Sequence, residues 1–336
     1  MLSPMRAIIS NWRSLGFSLI AFYLPACALS PAVRGQAVQM DSAGMTWSAQ
    51  DGSKFPFRSW LPEKDTPSAV VIGVHGLSGA ACDLDLLGKT MQAQGMAVYA
   101  TELRGQGNDP VKARVGDIRS ARDWHRDLWD FHRLVAARHI GVPIIWLGES
   151  LGSLIVCGAV TNVPAGMQAP AALVLASPIP AFDDRVGLLD RQMLGFGAVT
   201  KPTSKIALAT WAGLDGKDWQ MTADTKHLEQ EKVTPWAVNE FTVRFYHVLA
   251  TMVGRMMPQA RQIAQPVFIV RAAHDVFAST ESVQAFAKRL PKAELKIYAK
   301  SHHLLFYDVD RDQVVADIAR WVGTMPWQPA KSQAGS

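Results

Sequence analysis

The stretch Ile144-Ile145-Trp146-Leu147-Gly148-Glu149-Ser150-Leu151-Gly152-Ser153-Leu154-Ile155-Val156-Cys157-Gly158-Ala159-Val160 decides the fold. Its first four residues form a short run of large apolar side chains, the mark of a strand buried on both faces. From Leu151 onward the stretch is apolar without Pro, long enough for more than two helical turns. Between the two stands Gly148-Glu149-Ser150-Leu151-Gly152, a G-x-S-x-G pentapeptide. Composition alone produces this pattern in on the order of one chain in ten of this length, so its weight comes from the strand before it and the helix after it. A turn this sharp forces the serine into a strained backbone conformation. It also needs glycine on either side, because side chains there would strike the strand and the helix. A nucleophile is therefore expected at Ser150.

Working outward, apolar runs at residues 70–74, 97–100, 173–175 and 267–270 read as further buried strands. Helical spacing lies between them, as in Trp124, Leu128, Phe131 and Val135, in Val283, Phe286 and Leu290, and in Val314, Ile318, Trp321 and Val322. Strand and helix alternating in this order predict an α/β fold with a mostly parallel sheet covered on both faces. Residues 45–60 alternate around Asp51-Gly52, which predicts an antiparallel hairpin at the start of the domain. From 179 to 265 no buried-strand run appears. This stretch is read as an inserted helical cap, which leaves 45–178 and 266–324 as the core domain and 325–336 as a flexible tail.

Serine is a poor nucleophile at its own pKa, so the chemistry needs a base to take its proton and a third group to hold that base. The strand at 267–270 runs into Arg271-Ala272-Ala273-His274-Asp275, placing a carboxylate just beyond a strand end. Asp275 is the expected acid, against Asp183 or Asp184 after the earlier strand or a capping role before Thr280. The last strand leads to Lys300-Ser301-His302-His303, and a His here completes the order Ser, Asp, His. Adjacent side chains in a near-extended loop point apart, so either His303 or His302 faces Ser150. His274 is read as structural. Backbone donors for an oxyanion are expected at Leu77, within His75-Gly76-Leu77-Ser78-Gly79, and at Leu151. His75 is read as a hydrogen-bonding brace of that loop.

Residues 45–322 resemble the monoacylglycerol lipase and lysophospholipase branch of the α/β-hydrolases. The resemblance rests on His75-Gly76-Leu77 as the oxyanion segment, on Arg104-Gly105-Gln106-Gly107, similar to the family's R-G-H-G loop, and on the Gly148 to Gly152 elbow. It implies the α/β-hydrolase fold, Asp275 as acid and His303 as base. It favours His303 over His302 because Asp308 then falls at the family's acidic position after the base. Gln106 and Glu149 stand where histidines are commoner in the family, and Lys300 stands in place of a Gly.

The resemblance and the layout imply cleavage of a carboxylic ester, of the lipid-like kind found in a monoacylglycerol or lysophospholipid. A small-ester esterase and an aminopeptidase of the same fold are the alternatives, as is a non-catalytic lipid-binding lipoprotein. A peptidase would need an acidic subsite for a free amine, for which Asp183, Asp184, Glu229 and Glu231 are available. The cap carries Trp211, Trp219, Trp236, Phe241, Phe245, Leu249, Met252, Met256 and Met257, which serve either as packing or as an acyl-chain groove.

Arg6 and Arg13 precede an apolar run at 15–24 that is too short to span a bilayer and has the layout of a secretory signal. It ends in Leu24-Pro25-Ala26-Cys27, which is similar to a bacterial lipobox. Residues 1–26 are thus expected as a signal peptide, Cys27 as the lipidated residue and 27–44 as a tether to the membrane. The expected location is the cell envelope, facing the periplasm, with plain secretion as the alternative. The net charge of +5 is mild and no dense Lys/Arg run occurs, which argues against nucleic acid as a partner. Cys82 and Cys157 sit in no Cys/His cluster, so neither a metal site nor any organic cofactor is expected, and water is the expected acyl acceptor. The sequence carries no signal for oligomeric state.

Overall fold

The computed structural model describes residues 37–41, 45–181, 188–212, 220–225, 227 and 234–326. The signal segment, Cys27, Trp219, and Asp183, Asp184, Glu229 and Glu231 lie outside them. Nine strands form one sheet: β1 (Gln39–Asp41), β2 (Thr46–Ser48), β3 (Lys54–Trp60), β4 (Val70–Val74), β5 (Ala97–Thr101), β6 (Ile144–Glu149), β7 (Ala172–Ala176), then β10 (Val267–Ala272) and β11 (Ala293–Tyr298). Their spatial order is β1-β2-β3-β5-β4-β6-β7-β10-β11. The pairs from β1 to β5 are antiparallel and every pair from β5 to β11 is parallel. The hairpin joining β2 and β3 turns at Gly52, whose φ of +80° only glycine adopts without strain.

Period-two alternation feeds two cores. Val70, Ile72, Val74, Trp146 and Leu173 point to one face, where α2 (Ala121–Arg138) and α3 (Leu151–Val160) cover them. Val71, Val98, Ile145, Leu147 and Phe268 point to the other, under α1 (Asp85–Ala93) and α8 (Arg311–Thr324). In β4, β6, β7 and β10 nearly every residue is buried, because helices close both faces. α7 (Thr280–Ala287) joins β10 to β11, with Ser279 accepting from the Ser282 N–H as its N-cap.

The inserted region is helical as expected and adds one short strand pair that the sequence did not announce. Its described residues include α4 (Leu188–Thr200), β8 (Lys205–Ala207), α5 (Leu208–Ala212), β9 (Glu240–Thr242) and α6 (Val243–Gln259), and β8 pairs antiparallel with β9. Three-residue strands are too short to carry a readable alternation. α6 is part of the main core: Phe245, Tyr246, Leu249, Met252, Val253 and Met256 are buried, and Phe245 meets Trp124 of α2 edge-on at 5.8 Å. Its apolar stripe is packing. Trp211 stacks on Tyr246 at 4.5 Å. At the other end of the chain the sheet begins inside the stretch expected as a tether, since β1 adds to the edge of β2. One half-buried Met40 between two exposed residues leaves too little pattern to announce it.

Candidate active site

β6 ends at Glu149 and α3 begins at Leu151, so a single residue makes the turn. That residue, Ser150, has φ 48° and ψ −110°, a conformation that costs about 1–3 kcal/mol away from glycine. The surrounding structure holds it there. The Ser150 N–H donates to the Ala176 carbonyl at 2.9 Å, and the Ser153 hydroxyl donates to the Gly148 carbonyl at 2.7 Å. A Cβ on Gly148 would lie 2.4 Å from the backbone of Gly152, and one on Gly152 would lie 2.1 Å from the Val74 carbonyl oxygen. Both glycines are therefore steric requirements of the turn.

His303 Nε2 lies 2.9 Å from Ser150 Oγ, and His303 Nδ1 lies 2.9 Å from Asp275 Oδ2. All three side chains are almost fully enclosed. Asp275 also accepts from the N–H groups of Phe277 (2.8 Å) and Ala278 (3.3 Å). Burial pushes its carboxyl upward, but the His303 ring, the Phe277 amide and the nearby Arg271 outweigh that and hold it below the usual carboxylate range. An ionised Asp275 can only accept, which places the proton on His303 Nδ1 and leaves Nε2 to accept from the Ser150 hydroxyl.

Neighbouring groups hold this line of contacts. The Ser177 hydroxyl, on a residue with φ 46°, donates to the His303 carbonyl at 2.7 Å. Arg271, almost fully buried, donates to the Ala278 carbonyl (2.7 Å) and the Thr280 hydroxyl (2.6 Å), closing the loop that carries Asp275. Phe277 presses edge-on against the His303 ring at 4.7 Å.

The other candidates fall outside that line. His302 Nδ1 lies 3.1 Å from Asp308 Oδ2, and its ring sits 5.4 Å from that of His274. Asp308, fully buried, thus serves His302 rather than His303, and accepts as well from the backbone of His302, Val309 and Ala223. Ala223 belongs to the insertion. Residues 221–224 lie along the His303 loop: the Leu304 N–H donates to Met221, the Thr222 hydroxyl donates to the Tyr307 carbonyl, and Arg311 pairs with Asp224.

The His75 loop lies against the nucleophile, for a Cβ on Gly76 would sit 3.5 Å from Ser150 Cβ. His75 Nε2 accepts from the Leu103 N–H at 3.1 Å, so Nδ1 carries the proton and donates to the Gly76 carbonyl at 2.9 Å. It is a brace of this loop, as expected. Gln106 does similar work that the sequence reading missed, its Oε1 accepting from the Ser78 N–H at 3.0 Å. Gly107 must be glycine, since a Cβ would lie 1.6 Å from the Trp236 carbonyl oxygen of the insertion. Leu151 opens α3 directly after Ser150, and Leu77 follows Gly76, the residue that lies against Ser150. Burial raises the thiols of Cys82, to about 11, and of Cys157, which argues against either as a nucleophile. Among the described residues no group of three His, Cys, Asp or Glu converges as a metal site.

A mostly parallel sheet with a serine on a strand-to-helix turn, and with an aspartate and a histidine on loops after later strands, defines an α/β-hydrolase. Residues 65–310 match the family described as "Serine aminopeptidase, S33", and the chain belongs to that family. It is similar to a monoacylglycerol lipase of Mycolicibacterium smegmatis, 25% identical over 81% of this chain and 93% of that one. A carboxylesterase of Bacillus subtilis is 21% identical over 76% of this chain and 93% of its own. Among solved structures, a soluble variant of monoglyceride lipase from Saccharomyces cerevisiae in complex with a substrate analog superposes with a TM-score of 0.71. It is 17% identical, covering 86% of this chain and 96% of that one.

Proposed function

We propose that the chain is a carboxylic ester hydrolase acting on lipid-like esters of the monoacylglycerol or lysophospholipid kind, through an acyl-enzyme on Ser150. The observation that carries this is the unbroken line from Asp275 through His303 to Ser150, with both contacts at 2.9 Å. His303 Nε2 takes the Ser150 proton as Oγ bonds to the ester carbonyl carbon. The carbonyl electron pair moves onto oxygen, where the Leu77 and Leu151 N–H groups donate to it. Collapse of that intermediate breaks the bond to the leaving alcohol, which takes the proton from His303. Water then attacks the acyl-enzyme, giving its proton to His303, and the acid leaves as Ser150 recovers its hydrogen.

The lipid reading is supported by the monoacylglycerol lipase among the relatives and by the apolar insertion, on which Phe196 and Val199 of α4 are exposed. Lipidation at Cys27 would hold the enzyme at the cell envelope, facing the periplasm, beside such substrates. The family description favours one second reading, release of N-terminal residues from peptides. The test is fatty-acid release by the full chain from a long-chain monoacylglycerol, with a short-chain ester, an aminoacyl anilide and the Ser150→Ala variant alongside. Release from the long chain that disappears in the variant is the expected result. Cleavage of the anilide alone would replace the ester reading with the peptidase one, and cleavage of the short ester alone would remove the lipid.

A further inference from the structure

Glu149 precedes the nucleophile, and the reaction outlined above does not use it. Its side chain shares a sheet face with Ile145 and Leu147, and only 4% of the residue is exposed. Oε1 is fully buried and has no hydrogen-bond partner. Oε2 would lie 3.9 Å from a Cβ built on Gly76, the same point that is 3.5 Å from Ser150 Cβ, and the Gly76 N–H donates to this carboxyl.

The groups that face it are acidic or neutral. From the turn Ala81–Leu84 comes Asp83, and from the turn Leu305–Tyr307 comes Tyr307, whose hydroxyl donates to Asp83 at 2.6 Å. Just past the end of β4, the His75 ring contacts the Gly76 carbonyl and lies 3.6 Å from the buried Glu102. Among the described residues no Lys or Arg forms an ion pair with Glu149 or Asp83. Two carboxyls beside one another without a cation cannot both ionise at ordinary cost. Asp83 is served by the Tyr307 hydroxyl and the Ala80 N–H, whereas Glu149 Oε1 has no partner, so the neutral form falls to Glu149.

We propose that Glu149 is a positioning residue for the hydrolytic reaction: as a neutral carboxylic acid it braces Gly76, and so the loop presenting the Leu77 N–H. Its ionisation places a negative charge behind the developing oxyanion and opposes the transition state. This rests on the serine-hydrolase reading above. Burial, and then the neighbouring Asp83, raise the Glu149 carboxyl to about 8, so the switch falls on the alkaline side of neutrality.

The test is the rate at which a fluorophosphonate labels Ser150 as pH is varied, a readout that does not depend on knowing the substrate. Wild type is expected to lose reactivity with an alkaline midpoint near 8. In Glu149→Gln that midpoint is expected to rise by about one unit or more while the acid limb stays in place. An unchanged alkaline midpoint in Glu149→Gln would overturn the proposal. Infrared spectroscopy of the wild-type protein gives a second readout that needs no variant. A buried protonated carboxyl lost between about pH 7 and about pH 10 supports the proposal, and its absence overturns it. Failure of wild type to label at any pH would sink the serine mechanism itself.

Discussion

At Ser150 the backbone is strained and the side chain is held ready, and the two facts have one cause. The turn that strains the residue lifts its hydroxyl clear of the sheet edge, where His303 meets it. Asp275→Asn removes the charge that keeps the proton on His303 Nδ1. It should lower kcat by about 10³ to 10⁴ with little change in fold, checked by steady-state kinetics beside circular dichroism. Gly152→Ala drives a methyl into the Val74 carbonyl. It should cost about 3 kcal/mol or more and shift the thermal midpoint before it shifts any pH profile. Ser150 and Asp275 were legible because each follows a buried strand, and His303 because it follows the last strand in the order Ser, Asp, His. The two histidines were separable only by geometry, since Lys300 stands in place of the Gly that usually marks the approach. The family position of Asp308 pointed to the right histidine, yet the carboxylate holds the other one, a contact that spacing cannot reveal. Glu149 carried a readable signal, a polar residue in step with Ile145 and Leu147 on a buried face.

At the scale of elements, the helices and strands around the site lock by packing and by a few buried charges. On α8, Asp317 accepts from Lys296 and Tyr298 of β11 and from Gln313 and Arg320. Burial pushes this carboxyl up, but the Lys296 contact and the others outweigh it and draw it down to about 2. A depressed folded-state value means that the clamp stabilises above the ordinary 3.8 and is lost as pH falls toward about 2. Asp317→Asn should therefore flatten the fall in melting temperature across that window, measured by thermal scans at a series of acid pH values. Phe245→Ala in α6 should cost about 3–5 kcal/mol and leave acyl-chain-length preference unchanged where the variant is still folded, because Phe245 is wholly buried in the core. The helix itself was readable from spacing. What covers its stripe was not, because amphipathic periodicity names a buried face without naming the neighbour.

At the scale of the whole molecule, the central sheet is a fixed frame with chemistry along the ends of β4, β6, β7 and β10. The proposed lipidation at Cys27 belongs to a different question, where the enzyme resides. Cys27→Ala should move the protein from the membrane to the soluble fraction of expressing bacteria, while Ser150 labelling in lysates is retained. The alternation of strand and helix announced the frame, whereas β1, β8 and β9 escaped notice because three residues make no period. Residues 221–224 of the insertion are stitched to the loop that carries His303, through Met221, Thr222, Ala223 and Asp224. The insertion is consequently not an exchangeable cassette. A chimera that borrows another family member's lid must carry this seam across intact, or new specificity will arrive together with a displaced His303.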